Sequence, residues 1–199
     1  MFLRISRRCR NVLPTSKSFL APLARAAKYP SLVVGLNLCY HNLMKNGFEK
    51  NCTSLEETKE LAKKFADLVV DKGCFVSLYG EIGAGKTAFV KLVAEALEVQ
   101  EKVTSPSFVI LNEYHSAKIP IYHFDLYRLE NEGVSTIVDE LREYSEGKML
   151  TFVEWAEFSQ NEIPFNHIKI NVTYGENEDR MYSLEACGEQ NLAIIRGLN

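Results

Sequence analysis

Apolar positions recur along this chain with two periods, one helical and one of two residues, and the change between them marks out its elements. Leu55, Leu61, Ala62, Phe65, Leu68 and Val69 fall on a single helical stripe. Ser54, with Glu57 three residues on, forms a capping box at the start of that helix, and Lys72-Gly73 ends it. "CFVSLY" (Cys74–Tyr79) is short, apolar and partly β-branched, which predicts a buried strand. A second amphipathic helix is predicted over Thr87–Val99, with Phe89, Val90, Val93, Ala94 and Leu97 turned inward. Three strand candidates follow, Ser107–Tyr114, Ile119–Tyr127 and Met149–Trp155, with an acidic helical stretch over Glu130–Glu146 between the last two. His167–Tyr174 and Arg180–Cys187 alternate like strands around "GENED", a hairpin pattern, and a short helix over Gln190–Leu198 follows. The pattern has no internal repeat. It predicts a single α/β domain over Asn51–Asn199, with a mixed, mostly parallel central sheet flanked by helices and an antiparallel hairpin at the C-terminal edge.

The composition, 46% hydrophobic and 25% charged over 199 residues, is that of one soluble globular domain with length to spare. The distribution of charge adds more. Residues 1–48 carry eight basic side chains (Arg4, Arg7, Arg8, Arg10, Lys17, Arg25, Lys28 and Lys45) and no acid. The remainder has 15 basic against 26 acidic residues, a net of −11. Such a body is a poor nucleic-acid binder by itself, because phosphate contacts need clustered Lys and Arg. The Arg-, Ser- and Leu-rich leader has the composition of an organelle transit peptide. Residues 1–48 are read as a transit peptide or a disordered extension, with a mitochondrion as the address and a plastid or the cytoplasm as alternatives. The apolar patch Ser31–Tyr40 is about half as long as a membrane span requires, so no membrane contact is expected. Five cysteines, with no C-x-x-C pair, read as free thiols in a reducing compartment.

The chemistry concentrates in "GEIGAGKT". Gly80, Gly85, Lys86 and Thr87 match G-x-x-x-x-G-K-[ST] between a predicted strand and a predicted helix. The glycines let successive backbone N–H groups point at a β-phosphate, which makes Gly80, Glu81, Ile82, Gly83, Ala84 and Gly85 candidate nucleotide contacts. The helix that begins at Lys86 presents its positive end to the same oxygens. Lys86 can reach the β and γ oxygens, and the Thr87 hydroxyl can ligate Mg²⁺. The Lys86 ammonium is expected near the surface of the free protein. Asp125 ends "IYHFD" and Glu154 ends "LTFVE", acids at strand ends that can bind magnesium or position an attacking water. Thr104–Ser107 lies where P-loop proteins keep a γ-phosphate-sensing loop. Read alone, His123 is a satisfied buried histidine and Trp155 is half-buried packing.

"GEIGAGKT", "TSPSF", "YHFDLYRL" and "VEWAE", in this order and spacing, resemble the bacterial TsaE (YjeE) family. Its members are small P-loop ATPases required for making threonylcarbamoyladenosine in tRNA. The resemblance covers about residues 51–188 and implies a compact P-loop NTPase-type α/β domain that takes ATP and Mg²⁺. It implies that Thr87 and Glu154 ligate Mg²⁺, that Asp125 is the acid most needed for hydrolysis beside Lys86, and that Ser105–Ser107 form a switch-like loop. Trp155 would lie close to the nucleotide, and Thr53–Glu57, Glu56 in particular, would approach the adenine. Arg180 falls where the family often has a basic residue, and its role is left open. The implied partners are TsaD-like and TsaB-like threonylcarbamoyltransferase subunits, with tRNA reached only through that complex. The basic leader is not part of the bacterial pattern.

Three other functions compete with an accessory ATPase. A small-molecule kinase needs a lid with two or more arginines, and between Ser105 and Trp155 only Arg128 and Arg142 are present, with no Gly-flanked insertion. A GTPase needs the guanine-reading N-K-x-D motif, which the sequence lacks. A non-catalytic nucleotide-sensing scaffold would use the same residues as the ATPase, so motifs alone do not separate the two.

Overall fold

The computed structural model describes residues 47–130, 133–159 and 161–199, and the leader's residues 1–46 lie outside them. Seven described strands form one sheet: β1 (Gly47–Cys52), β2 (Cys74–Tyr79), β3 (Leu111–Tyr114), β4 (Ile121–Asp125), β5 (Leu150–Glu154), β6 (His167–Tyr174) and β7 (Arg180–Cys187), in the order β1-β7-β6-β2-β5-β4-β3. The centre, β6-β2-β5-β4, is parallel. Antiparallel partners extend it on both sides, β7 and β1 on one and β3 on the other. The chain is therefore the mixed α/β domain that the periodicity predicts.

Alternation along the strands builds a core on each face of the sheet. On one face Val76, Leu78, Phe152 and Ile170 pack under helices α1 (Leu55–Val69), α2 (Lys86–Ala96) and α4 (Leu192–Leu198). Phe65 of α1 meets Phe89 of α2 edge-on at 5.8 Å, and Phe89 meets Tyr182 at 5.4 Å. Truncating a buried phenylalanine of this kind to alanine costs about 3–5 kcal/mol. On the other face Phe75, Phe124 and Val153 pack with Leu129, Ile137 and Leu141, supplied by a 3₁₀ turn (Tyr127–Glu130) and the short helix α3 (Val138–Glu143). Half of the capping box of α1 forms, the Glu57 N–H donating to Ser54 Oγ at 3.2 Å, while Glu57 Oε2 reaches past the cap and accepts from the Thr53 N–H at 2.6 Å.

The structure departs from the sequence pattern in three places. The edge strand β1 has no counterpart in the apolar pattern, because Glu49, Lys50 and Asn51 are exposed and leave no apolar run. It pairs with β7 and so covers the outer strand of the β6–β7 hairpin. The strand expected from Ser107 begins only at Leu111, because Val109 and Ile110 both donate their N–H groups to the Pro106 carbonyl, at 2.9 and 2.7 Å. That turn leaves Ile110 at φ +70°. The helix expected over Glu130–Glu146 is reduced to Val138–Glu143, preceded by Gly133 at φ +76°, a left-handed residue that breaks a helix.

Candidate functional site

β2, β4 and β5 run parallel, so their C-terminal ends gather at one rim of the sheet, where open α/β folds hold ligands. The loop Gly80–Gly85 leaves β2 at this rim and runs into α2. Gly80 has φ +135°, and a Cβ there would run into the Val172 carbonyl, so no other residue fits. Gly83, at φ +78°, passes so close to Tyr174 that a Cβ would lie 2.8 Å from its hydroxyl. That hydroxyl donates to the Ile82 carbonyl at 3.1 Å and braces the loop from β6. Ala84 is fully buried beneath the turn.

Lys86 corrects the expectation of a surface ammonium, since it is only 4% exposed. Its Nζ donates to the Gly80 and Glu81 carbonyls at 2.6 and 3.0 Å and lies 3.8 Å from the centre of the Trp155 ring. Burial depresses its pKa, opposed by the nearby carboxylates of Glu154, Glu157 and Asp125. The loop's own carbonyls and an aromatic face thus hold the cation inside the cradle.

Parallel pairing sets Asp125 of β4 directly beside Glu154 of β5, and both acids are buried. Glu154 Oε2 accepts from Thr87 Oγ1 at 2.9 Å, and its Oε1 lies 2.8 Å from His123 Nε2. Asp125 Oδ2 accepts from Ser105 Oγ at 2.6 Å and Ser107 Oγ at 2.5 Å, and its Oδ1 accepts from the Tyr127 N–H at 3.1 Å. Asp125 is therefore the anchor of the loop that the sequence marked as a sensor. Trp155 follows β5 at φ +59°, stacked 6.0 Å from Phe158 and packed 5.1 Å from Tyr127.

These groups surround a cleft of about 380 Å³. Ile82, Gly83, Gly85, Lys86, Thr87, Ser105, Asp125, Glu154 and Trp155 all line it, and Gly80, Glu81 and Ala84 shape the loop behind them. Glu56 does not line the cleft. Its side chain is 78% exposed and faces Lys59 at 3.6 Å, one helical turn away. Ser107 and Tyr127 line it as well, and Arg180 stands beside the loop. A Cβ on Gly85 would lie 3.9 Å from Arg180 Nε, and Arg180 stacks on the Tyr174 ring at 4.5 Å. The overlooked part was the role of His123, which the period of two places on the same face as Asp125.

The Thr87 hydroxyl and Glu154 Oε2 converge as two hard oxygen donors, a set that suits Mg²⁺ completed by phosphate and water oxygens. Among the described residues no cluster of three or more His, Cys, Asp or Glu side chains exists that could cage a metal by itself. The donor set thus fits a cation that arrives with a nucleotide.

The comparisons with known proteins agree with this geometry. The sequence model of the family described as "Threonylcarbamoyl adenosine biosynthesis protein TsaE" matches residues 52–182. The tRNA threonylcarbamoyladenosine biosynthesis protein TsaE of Bacillus subtilis is 36% identical over 135 residues, covering 68% of this chain and 83% of the relative. Its namesake from Haemophilus influenzae is 32% identical, covering 65% of this chain and 82% of the relative. A crystal structure of Bacillus subtilis YdiB superposes with a TM-score of 0.64 at 29% identity, over 76% of this chain and 93% of that one. With its glycine loop, its two strand-end acids and a family match over residues 52–182, the chain belongs to the TsaE family of threonylcarbamoyl adenosine biosynthesis proteins.

Proposed function

We propose that the protein is an accessory ATPase that binds and hydrolyses Mg·ATP to support threonylcarbamoyl transfer to tRNA by a partner complex. Family membership supports the role in tRNA threonylcarbamoyladenosine biosynthesis. The single observation that carries the ATPase reading is the convergence of Thr87, Glu154 and Asp125 on one cleft with the Lys86 cradle. In this reading the loop N–H groups and the start of α2 hold the phosphates. Lys86 leaves its carbonyl partners for the β and γ oxygens, whose charge rewards the buried ammonium. Thr87 and Glu154 would hold Mg²⁺, which would supply neutralisation of phosphate charge. Asp125 accepts from and orients the attacking water, and that water, arriving with the nucleotide, competes with the Ser105 and Ser107 hydroxyls for the Asp125 carboxylate. Release of the two serines passes the state of the site to the loop that carries Phe108 and Val109.

Those two side chains are 82% and 64% exposed, an apolar loop tip that suits a protein partner. TsaD-like and TsaB-like transferase subunits are the proposed partners, and tRNA is held by them, in keeping with an acidic body of net −11. The leader, residues 1–48, is proposed to address the protein to mitochondria. Calorimetric titration of Mg·ATP tests the binding reading, and phosphate release measured with and without the transferase subunits tests the accessory role. Turnover that rises when the subunits are added supports it. Bound ATP with turnover indifferent to them refutes it.

A further inference from the structure

A buried histidine stands behind the cleft and takes part in none of the roles above. His123 lies in β4 two residues before Asp125, so strand alternation turns both toward the same face. It is fully buried, and its Nε2 lies 2.8 Å from Glu154 Oε1, which is itself only 2% exposed as a residue. A carboxylate only accepts, so the network assigns the shared proton to His123 Nε2. Among the described residues His123 Nδ1 has no hydrogen-bond partner, so there the ring is held through Nε2. The other Glu154 oxygen faces Thr87 Oγ1 at 2.9 Å. Glu154 is gripped at both ends, by the buried imidazole behind and by the hydroxyl at the cleft in front.

That grip matters because the terminal torsion of a glutamate is soft. Its χ3 is broad and nearly two-fold, so an ungripped carboxylate turns at little cost. With the His123 donor removed, Oε1 would be left buried without a partner, and turning toward the cleft would be its way to recover one. The oxygen that faces Thr87 would then no longer be fixed.

We infer that His123 is a positioning residue for the metal subsite: its Nε2–H holds Glu154 Oε1 so that Oε2 stays aimed beside Thr87, where Mg²⁺ is to sit. The inference rests on the Mg·ATP reading. A histidine that merely fills space under the helices on this face would need no donor in this direction, and that difference can be measured.

The test compares three variants of the full chain by Mn²⁺ uptake beside a non-hydrolysable ATP analogue, read from the paramagnetic resonance signal of free Mn²⁺. His123→Leu keeps bulk and loses the donor, and its Mn²⁺ affinity should fall by about 10- to 100-fold, the usual effect of losing a residue that orients a metal ligand. His123→Gln carries an amide nitrogen at the reach of Nε2 and should restore affinity close to wild type. His123→Asn carries the same amide too short and should resemble the leucine variant. Affinity for the analogue in excess chelator should be unchanged in all three, since the phosphate cradle is untouched. Should His123→Leu fail to fold by circular dichroism, the Gln–Asn pair alone decides. Wild-type Mn²⁺ affinity in a folded Leu or Asn variant overturns the inference, as does a Gln variant as weak as Asn. Wild-type protein that takes up no Mn²⁺ beside the analogue refutes the Mg·ATP reading itself, and the inference falls with it.

Discussion

Asp125→Ala removes the acceptor that ties the Ser105–Ser107 loop to the sheet, and the structure says how much that tie contributes. Two serine hydroxyls meet Oδ2 at 2.6 and 2.5 Å, and the Tyr127 N–H meets Oδ1 at 3.1 Å. Hydrogen bonds to a charged group are worth about 1.5–3 kcal/mol each. Both serines are half-buried, so water replaces part of the loss. Their oxygens stand 2.6 Å apart, so once Asp125 is gone one hydroxyl can donate to the other. Loss of the buried charge beside Glu154 relieves repulsion as well. Three bonds at the lower end of the range would contribute about 4.5 kcal/mol, and these offsets reduce the whole anchor to about 2–3 kcal/mol. For a domain of this size that lowers Tm by about 4–12 °C. Hydrogen exchange should quicken at the Val109 and Ile110 N–H groups, which bond the Pro106 carbonyl, and at the Asp125 N–H, which bonds the Ile110 carbonyl. ATP binding should persist, and turnover should fall by about two orders of magnitude or more, the contribution of a group that positions a transferred proton. A variant that hydrolyses ATP normally makes Asp125 a structural anchor only. Unchanged exchange over residues 106–110 would refute the anchoring argument, whatever the turnover.

Three further outcomes are expected. Lys86→Met should lose ATP binding while keeping the fold, measured by calorimetry and circular dichroism. Because burial lowers the Lys86 pKa, the unfolded chain binds its proton more tightly, so wild type should gain stability relative to this variant as pH rises toward the ordinary lysine value. Trp155 fluorescence should change on addition of ATP or ADP, since its ring now faces Lys86 Nζ at 3.8 Å and the ammonium must move to reach phosphate; a flat titration with nucleotide demonstrably bound contradicts that movement. A reporter fused to residues 1–48 should enter mitochondria and be shortened there, and glutamates at Arg4, Arg7, Arg8 and Arg10 should strand it in the cytosol; a wild-type fusion left uncut and cytosolic ends the proposal of a leader.

What the sequence displayed was local, and what it hid was register. The glycine loop is legible because Gly80, Gly85, Lys86 and Thr87 stand within a few residues of each other and their conformations follow from their own chemistry. Asp125 and Glu154 were legible as acids that end apolar strands. Their placement side by side was not, because it depends on β4 pairing with β5 across a long connection. The same holds for the Ser105 and Ser107 bonds to Asp125 and for the His123 bond to Glu154, which no spacing reveals. β1 escaped notice because a polar edge strand is defined by the backbone of its neighbour rather than by its side chains. The surface position expected for Lys86 ignored that a glycine turn offers its own carbonyls when it curls around a cation. The adenine role of Glu56 rests on family resemblance alone, and its carboxylate lies in solvent beside Lys59.

ATP held at Lys86 and Thr87 and cleaved with the help of Asp125 is proposed to reset a threonylcarbamoyl-transfer complex. Formation of threonylcarbamoyladenosine on excess unmodified tRNA by the purified transferase subunits, followed over time, reads that reset. With wild-type protein and ATP the product should climb well past one equivalent per complex, while Asp125→Ala should hold it at the first turnover. Equal multiple turnover with wild type, with Asp125→Ala and with no added protein would contradict the claim.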